Sequence, residues 1–290
     1  MHEAIKQMLS RYPLGTVDEG VNALRELTQE LALLGLWRAR FFEHAAFYGG
    51  TALRIFHGLD RFSEDLDFTL LKQDPDFQLA RFTDSLSREL QGFGFELEVT
   101  TRQKTADTAI QSAFLKGNTR HQLLEIGIPR ELASLVHSGQ KLKVKLGIDT
   151  DPPSSFSSEM QTLLQPIPFA VRVCSPPDLF AGKLHALLFR RWKSRVKGRD
   201  WYDFVWFVGR GTPVNLSHLE QRMRQTGDWE GSKALMPEDL FEALEKVIRD
   251  LDVDQARNEV RRFLRNQDAL ALWSQDFFHD ISRRVTISGV

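Results

Sequence analysis

Two carboxylates, Asp65 and Asp67, sit two residues apart in a run whose other members, Leu66, Phe68 and Leu70, are apolar. Side chains alternate along a strand, so both carboxylates would share one face and the apolar residues the other. A pair at that separation can hold a hard divalent cation such as Mg²⁺. Upstream lies the triplet Gly49-Gly50-Thr51, whose last residue precedes Asp65 by 14 positions. The triplet suits a tight turn at a helix start, where backbone N–H groups and the Thr51 hydroxyl could bind a triphosphate. Each motif alone is weak: a short glycine motif is commonly an ordinary turn, and a lone D-x-D is commonly a solvated strand face. Together, a phosphate turn and a metal pair are the minimal equipment for phosphoryl or nucleotidyl transfer.

The elements that must position these groups follow from periodicity. Val21, Leu24, Leu27, Leu31 and Leu34 recur at steps of three and four, which predicts a helix opened by Asp18, with Gly35 as a candidate stop. A second helical stretch, Trp37 to His44, leads into the glycine turn. Leu79, Phe82, Leu86 and Leu90 predict another helix, ended by Gly92 and Gly94. Strand patterns follow at Phe95–Val99, Ala109–Leu115, Gln122–Ile128, Leu142–Ile148 and Phe169–Val173, with Gly117-Asn118 as a hairpin link. Asp149–Ser158 reads as an exposed loop. After Val173 only helical patterns remain, the first opened by a capping box, Ser175-x-x-Asp178. The fold class is therefore α+β: a mixed sheet flanked by helices over residues 1–170, then an all-α domain over residues 171–290 that could share one active-site cleft with it.

The length of 290 residues suits about two domains. A formal net charge of −1 gives no global steering, so any affinity for nucleic acid must come from a local patch. The single cysteine, Cys174, excludes an internal disulfide framework and a cysteine zinc site, and fits a reducing cytoplasm. The first residues lack a signal-peptide pattern, and no apolar run is long enough to span a membrane.

G-G-T followed by R-F-S-E-D-L-D-F resembles the signature of the nucleotidyltransferase superfamily, and more narrowly that of the AbiEii/AbiGii toxin family. K-L-G-I-D-T-D-P-P from Lys145 and the stretch from Ser175 to Phe204 look like that family's second and third blocks, and the resemblance spans roughly residues 20 to 285. It implies the nucleotidyltransferase fold and a Mg²⁺-dependent toxin of a toxin–antitoxin, phage-defence system. That toxin would act in the cytoplasm beside a cognate antitoxin, moving NMP from an NTP to an RNA acceptor, the tRNA 3′ end. By the same resemblance Gly49, Gly50 and Thr51 would hold the triphosphate and Asp65 and Asp67 the metal. Ser63 would share their strand face. Arg54 and Arg61 either contact phosphates or are ordinary surface charges. Lys183 would be the phosphate-binding lysine, although its residue pattern alone favours a surface lysine with an apolar stem. Asp200 and Asp203, one helical turn apart, would orient the lysine, metal-bound waters or the acceptor; Asp200 as a plain N-cap is the competing reading.

One departure stands out. The resemblance implies a third carboxylate at the position of Gly147, and Asp149, on the same strand face about 6.6 Å further along, is the candidate to replace it as a metal ligand. The departure motivates an alternative, a nucleotide- or RNA-binding protein with impaired catalysis; a small-molecule nucleotidyltransferase of the antibiotic-modifying type is a further one. Finally, Arg190, Arg191, Lys193, Arg195, Lys197 and Arg199 are six cations within ten residues. They form either a solvated face or a contact for an RNA backbone. Trp192 and Trp201 could stack on a base or fill a core.

Overall fold

The computed structural model describes residues 2–102, 109–154, 156–190 and 196–288. Its backbone divides into two compact units. The first comprises Met1–Ala52, Phe62–Pro152 and Glu159–Val173, and the second Leu53–Arg61, Pro153–Ser158 and Cys174–Val290. The division is thus interleaved rather than a single cut near residue 170.

The first unit is built on a sheet of β1 (Ala45–Tyr48), β2 (Leu66–Leu70), β3 (Glu98–Arg102), β4 (Ile110–Asn118), β5 (Lys141–Asp149), β6 (Ser158–Leu163) and β7 (Phe169–Cys174). Their spatial order is β3-β4-β5-β2-β1-β7-β6. The sheet is mixed: β2 runs antiparallel to β1 and parallel to β5, and β1 runs parallel to β7. The helices α1 (Glu3–Leu9), α2 (Val17–Arg38), α3 (Gly49–Phe56), α4 (Thr83–Gly92), α5 (Thr119–Glu125) and α6 (Arg130–Ser134) accompany it, α3 continuing into the second unit. β2 lies in the middle of the sheet, and its apolar side is Leu66, Phe68 and Leu70, all buried. Phe68 packs against Phe41, Phe42 and Phe47, with ring centroids 5.0 to 6.2 Å apart. Burying rings of this size stabilises by roughly 1.5–3 kcal/mol each and fixes which face of β2 carries the carboxylates.

α2 is the longest helix, 22 residues, and it is opened by a capping box of Thr16 and Glu19 rather than by Asp18. It does not stop at Gly35. That glycine lies against α4, where a Cβ would sit 3.2 Å from both the Glu89 Cβ and the Leu86 Cα, so it is a close-packing position. The expected separate helix from Trp37 to His44 is therefore the end of α2 followed by one 3-10 turn, Phe41–Glu43. The expected hairpin at Gly117-Asn118 is also corrected. β4 runs through Asn118, whose side chain caps α5, and the supposed strand Gln122–Ile128 falls largely in that helix. Gln122 and Leu123 are its buried face, a pattern too short for period alone to tell helix from strand.

The second unit contains α7 (Pro176–Phe189), α8 (Gly198–Gly209), α9 (Leu216–Thr226), α10 (Pro237–Arg249), α11 (Val253–Arg261) and α12 (Gln275–Ser282). It is mainly helical but not purely so, because β8 (Val214–Asn215) pairs in parallel with β9 (Ile287–Ser288). Ser175 stands at the N-cap of α7, yet its hydroxyl donates to the Asp178 carboxylate (2.7 Å) instead of accepting a backbone bond. Asp178 is 3% exposed and also accepts from the Ser157 N–H (2.7 Å), the Ser157 hydroxyl (3.0 Å) and Asn215 Nδ2 (2.6 Å). What the sequence offered as a capping box is a buried hub that ties residues 153–158 and β8 to α7. The segment Leu53–Arg61 is held to the same unit by the Tyr202 hydroxyl, which donates to Asp60 Oδ1 at 2.6 Å, and by Arg61.

Candidate functional site

In the first unit, the turn between β1 and α3 and the strand β2 meet at Asp67. Asp67 lies in register with Tyr48 on one side and Gly147 on the other. Gly49 has φ +83°, a left-handed conformation that favours glycine. A Cβ there would lie 3.1 Å from Asp67 Oδ2, and a Cβ at Gly147 would lie 3.2 Å from Oδ1. The Asp67 carboxylate thus lies against Gly147 of β5 on one side and Gly49, the first residue of α3, on the other, and the lack of a side chain at both leaves room beside it for a cation and a phosphate. Thr51 is 1% exposed and its hydroxyl donates to the Asp65 carbonyl, a bond that fastens the glycine turn to the residue just before β2. The hydroxyl proton is committed there, so the phosphate-directed donors of the turn are backbone N–H groups at the start of α3, which have no acceptor within the helix.

Asp65 is exposed and precedes the strand, which begins at Leu66. Ser63 lies further outside it, with its carbonyl held by Gln29 Nε2 at 3.1 Å, so the strand face expected to join Ser63 to the carboxylates is not formed. Asp149 ends β5 opposite Thr69, two register positions beyond the Asp67–Gly147 pair, and its Oδ1 accepts the Asp151 N–H at 3.0 Å. Among the described residues no group of three or more His, Cys, Asp or Glu side chains is arranged to hold a metal. The donor set that remains, two aspartates beside an open phosphate turn, fits Mg²⁺, which is commonly held by one or two carboxylates with phosphate oxygens and water.

The second unit holds a separate constellation of four charges. Arg61 grips Asp203 with two parallel hydrogen bonds, Nε to Oδ1 and Nη2 to Oδ2, both 2.6 Å. The Lys183 ammonium pairs with Asp203 Oδ2 at 2.7 Å and Asp200 Oδ1 at 2.8 Å. Side-chain exposure is 3% for Arg61, 0% for Asp203, 6% for Asp200 and 12% for Lys183. Two positive and two negative charges balance, which is what makes their burial tolerable. Arg61 is therefore no surface loop charge and Lys183 no surface lysine. Asp200 is not the N-cap of α8, whose cap position is Lys197. Gly198 starts that helix because a Cβ there would overlap the Ala256 carbonyl of α11.

Burial acts to lower the Lys183 pKa, but the charges of Asp200 and Asp203 outweigh it and the net shift is upward. Burial acts to raise the Asp200 pKa, but Lys183 and then Lys197 outweigh it and hold the carboxyl at about 2. Lys183 is thus a fixed ammonium ion. Two of its three N–H bonds have carboxylate partners, and the third has none among the described residues.

The remaining calls divide. Arg54 Nη1 donates to the carbonyls of Leu59 (3.1 Å) and Asp60 (3.0 Å), which shapes the loop after α3. Arg190 and Lys197 line a cavity of about 150 Å³ together with Asp200 and Asp250. Arg199 pairs with Glu259 at 3.3 Å and stacks on Phe263 at 4.1 Å, so it joins α8 to α11. Arg191, Lys193 and Arg195, with Trp192, lie outside the described residues. Trp201 is 6% exposed and packs edge-on against Phe278 at 4.8 Å, which is the core reading.

Asp67 thus lies on the central strand of a mixed sheet, with Asp65 just before that strand and the glycine turn beside it. The family model described as "Nucleotidyl transferase AbiEii toxin, Type IV TA system" matches residues 31–281. The chain belongs to that family, whose members are the nucleotidyltransferase toxins of type IV toxin–antitoxin systems. Among solved structures, JHP933 from Helicobacter pylori is similar at 17% identity over 89% of each chain, with a TM-score of 0.50. A second H. pylori structure, provisionally assigned as a nucleotidyltransferase, matches at 17% identity over 89% of this chain and 92% of that one, with a TM-score of 0.48. At 17% identity the likeness to JHP933 concerns the fold alone. No curated protein matches the chain. No helix among the described residues is long and apolar enough to cross a membrane.

Proposed function

We propose that the chain transfers a nucleoside monophosphate from an NTP to an RNA acceptor, the tRNA 3′ end, and that Mg²⁺ is required. The observation that carries the reading is the joint at Asp67: the left-handed Gly49 turn lies against its carboxylate, while Thr51 fastens the same turn to Asp65. A phosphate seated on the turn is thereby beside the metal pair. When bound on Asp65 and Asp67, Mg²⁺ supplies charge neutralisation of the triphosphate oxygens. The first-turn N–H groups of α3 orient the phosphates. Asp200 and Asp203 keep Lys183 charged and fixed. The acceptor hydroxyl attacks the α-phosphate in line: the new O–P bond forms as the bond to pyrophosphate breaks, the hydroxyl proton passes to solvent water, and catalysis rests on positioning and electrostatics. In the cell this would make the chain a cytoplasmic toxin of phage defence, held in check by its antitoxin.

Gly147 favours a second reading, a nucleotide- or RNA-binding protein with impaired transfer, because the position beside Asp67 carries no carboxylate. Incubation with tRNA, Mg²⁺ and each α-labelled NTP separates the two. Label entering RNA, and lost in Asp67→Ala, supports transfer. NTP binding with no label in any acceptor supports the second reading.

A further inference from the structure

The carboxylate pair and the glycine turn use one end of β1, where Gly49 follows Tyr48. The opposite end opens into a groove of about 560 Å³, within the range of small-ligand sites. Its walls combine Trp37, Phe42 and Met160 with three guanidinium groups, Arg38, Arg40 and Arg172; Arg40 Nε pairs with Glu43 of the same lining at 2.7 Å, and Arg38 Nε pairs with Glu89 at 2.8 Å. Trp37 is half-buried and backed by Phe169 at 6.0 Å between ring centroids, so a planar aromatic surface is held in place. Arg172 Nε donates to the Phe42 carbonyl at 3.1 Å, which fixes the guanidinium, and its terminal nitrogens have no partner among the described residues. Arg40 is the one non-glycine among the described residues with positive φ (61°), a conformation costly for an L-residue and often kept where it aims a side chain.

We propose that this groove is a nucleotide-binding site separate from the Asp65–Asp67 pair. Apolar and aromatic walls beside the anchored guanidinium of Arg172 and the exposed one of Arg40 match a ligand with a planar base at one end and a phosphate at the other. The base lies against Trp37 and Met160, and the phosphate on Arg172 and Arg40. The ligand is a nucleotide unit, either free or at the end of an RNA strand. The assignment does not depend on the proposed reaction, because it uses none of the residues assigned to it.

The test is calorimetric titration of the full chain in EDTA, which disables any metal-dependent site, with 5′-AMP, inorganic phosphate and a short oligoribonucleotide. AMP is expected to bind at one equivalent, and about tenfold or more tighter than phosphate, because stacking on an aromatic ring adds that much. Arg40→Asn should weaken AMP about tenfold, the loss of one charge-assisted contact. Asn tolerates the left-handed backbone, and the Arg40 side chain is 77% exposed, so the fold is kept. Arg172→Gln should weaken it at least as much, and Asp67→Ala should leave it unchanged. Oligoribonucleotide binding that AMP displaces, and that Arg40→Asn weakens, supports the site with an RNA strand as its source. AMP binding without oligoribonucleotide binding supports it with free nucleotide as its source. Absence of AMP binding, AMP binding indifferent to Arg40→Asn, or phosphate binding as tightly as AMP would each overturn the proposal.

Discussion

Arg61 and Asp203, 142 residues apart in sequence, form a two-pronged ion pair in which both hydrogen bonds are 2.6 Å and both side chains are buried. A fork of this kind fixes the carboxylate in its plane, so Asp203 can present its Oδ2 to Lys183 without rotating. Removing the fork leaves Asp203 with Lys183 as its principal counterion. Arg61→Met should therefore cost roughly 3–5 kcal/mol, the usual effect of breaking a buried pair. Arg61→Lys keeps the charge but loses the planar fork and should fall between the two. The urea midpoints of the three proteins check the order; equal midpoints for Arg61→Met and the parent would show that the pair contributes nothing.

That relationship also marks where sequence reading stopped. The period of β2 placed Leu66, Phe68 and Leu70 in the core correctly, because alternation is a local property. The steps of α2 were equally legible. Arg61 read as an even choice between phosphate contact and surface charge, since nothing local signals a partner on α8. Ser63 was misplaced because alternation says nothing about where a strand begins, and here Gln29 holds the preceding segment out of the sheet. Ser175-x-x-Asp178 matched a capping box in spacing, but spacing alone does not show that Asp178 is shared with Ser157 and Asn215. The glycines flanking Asp67 were visible as residues; that both face one carboxylate is a matter of strand order.

Gly147 lies so close to Asp67 that a Cβ would press on Oδ1 at 3.2 Å. Gly147→Ala should displace the carboxylate by a few tenths of an ångström, at a stability cost of about 1 kcal/mol. A larger loss is expected in transfer, about tenfold, because metal geometry is demanding. Gly147→Asp sets a second negative charge beside Asp67, and like charges at that range repel unless a cation lies between them. Its melting temperature should be lower than the parent's in EDTA and should rise more with added Mg²⁺. A Mg²⁺ response no larger than the parent's would argue against a metal at Asp67.

Two histidines of the second unit predict acid sensitivity. His185 on α7 has its pKa lowered to about 4 by burial first and then by Arg222, with Arg190 adding to the fall and Asp228 opposing it. His218 on α9 is lowered to about 4 by burial, Arg222 and His185, with Asp178 opposing. Unfolded, each imidazole titrates near 6.5. Between pH 6.5 and pH 4 the unfolded chain therefore binds more protons than the folded one, and stability is lost as pH falls through that window. The combined loss should be on the order of 3 kcal/mol or more. Chemical denaturation at pH 7 and pH 5 measures it. His185→Gln should flatten the slope, and an unchanged slope would assign the acid sensitivity elsewhere.

The final prediction asks whether Lys183 and Asp67, which belong to different units, serve one reaction. The family resemblance implies a part in transfer for each: Asp67 on the metal and Lys183 on a phosphate. Removing either charge should lower the transfer rate by about 10²–10³, the usual cost of losing one electrostatic contact to a transition state. Lys183→Met removes the ammonium, and its fold is to be checked below the melting temperature, because Asp200 then loses its first partner. Groups that act as a unit are strongly non-additive. The double variant Asp67→Ala with Lys183→Met should therefore be little slower than the worse single variant, measured by single-turnover label transfer to tRNA. A fully multiplicative loss, about 10⁴–10⁶, would mean that the two residues act independently.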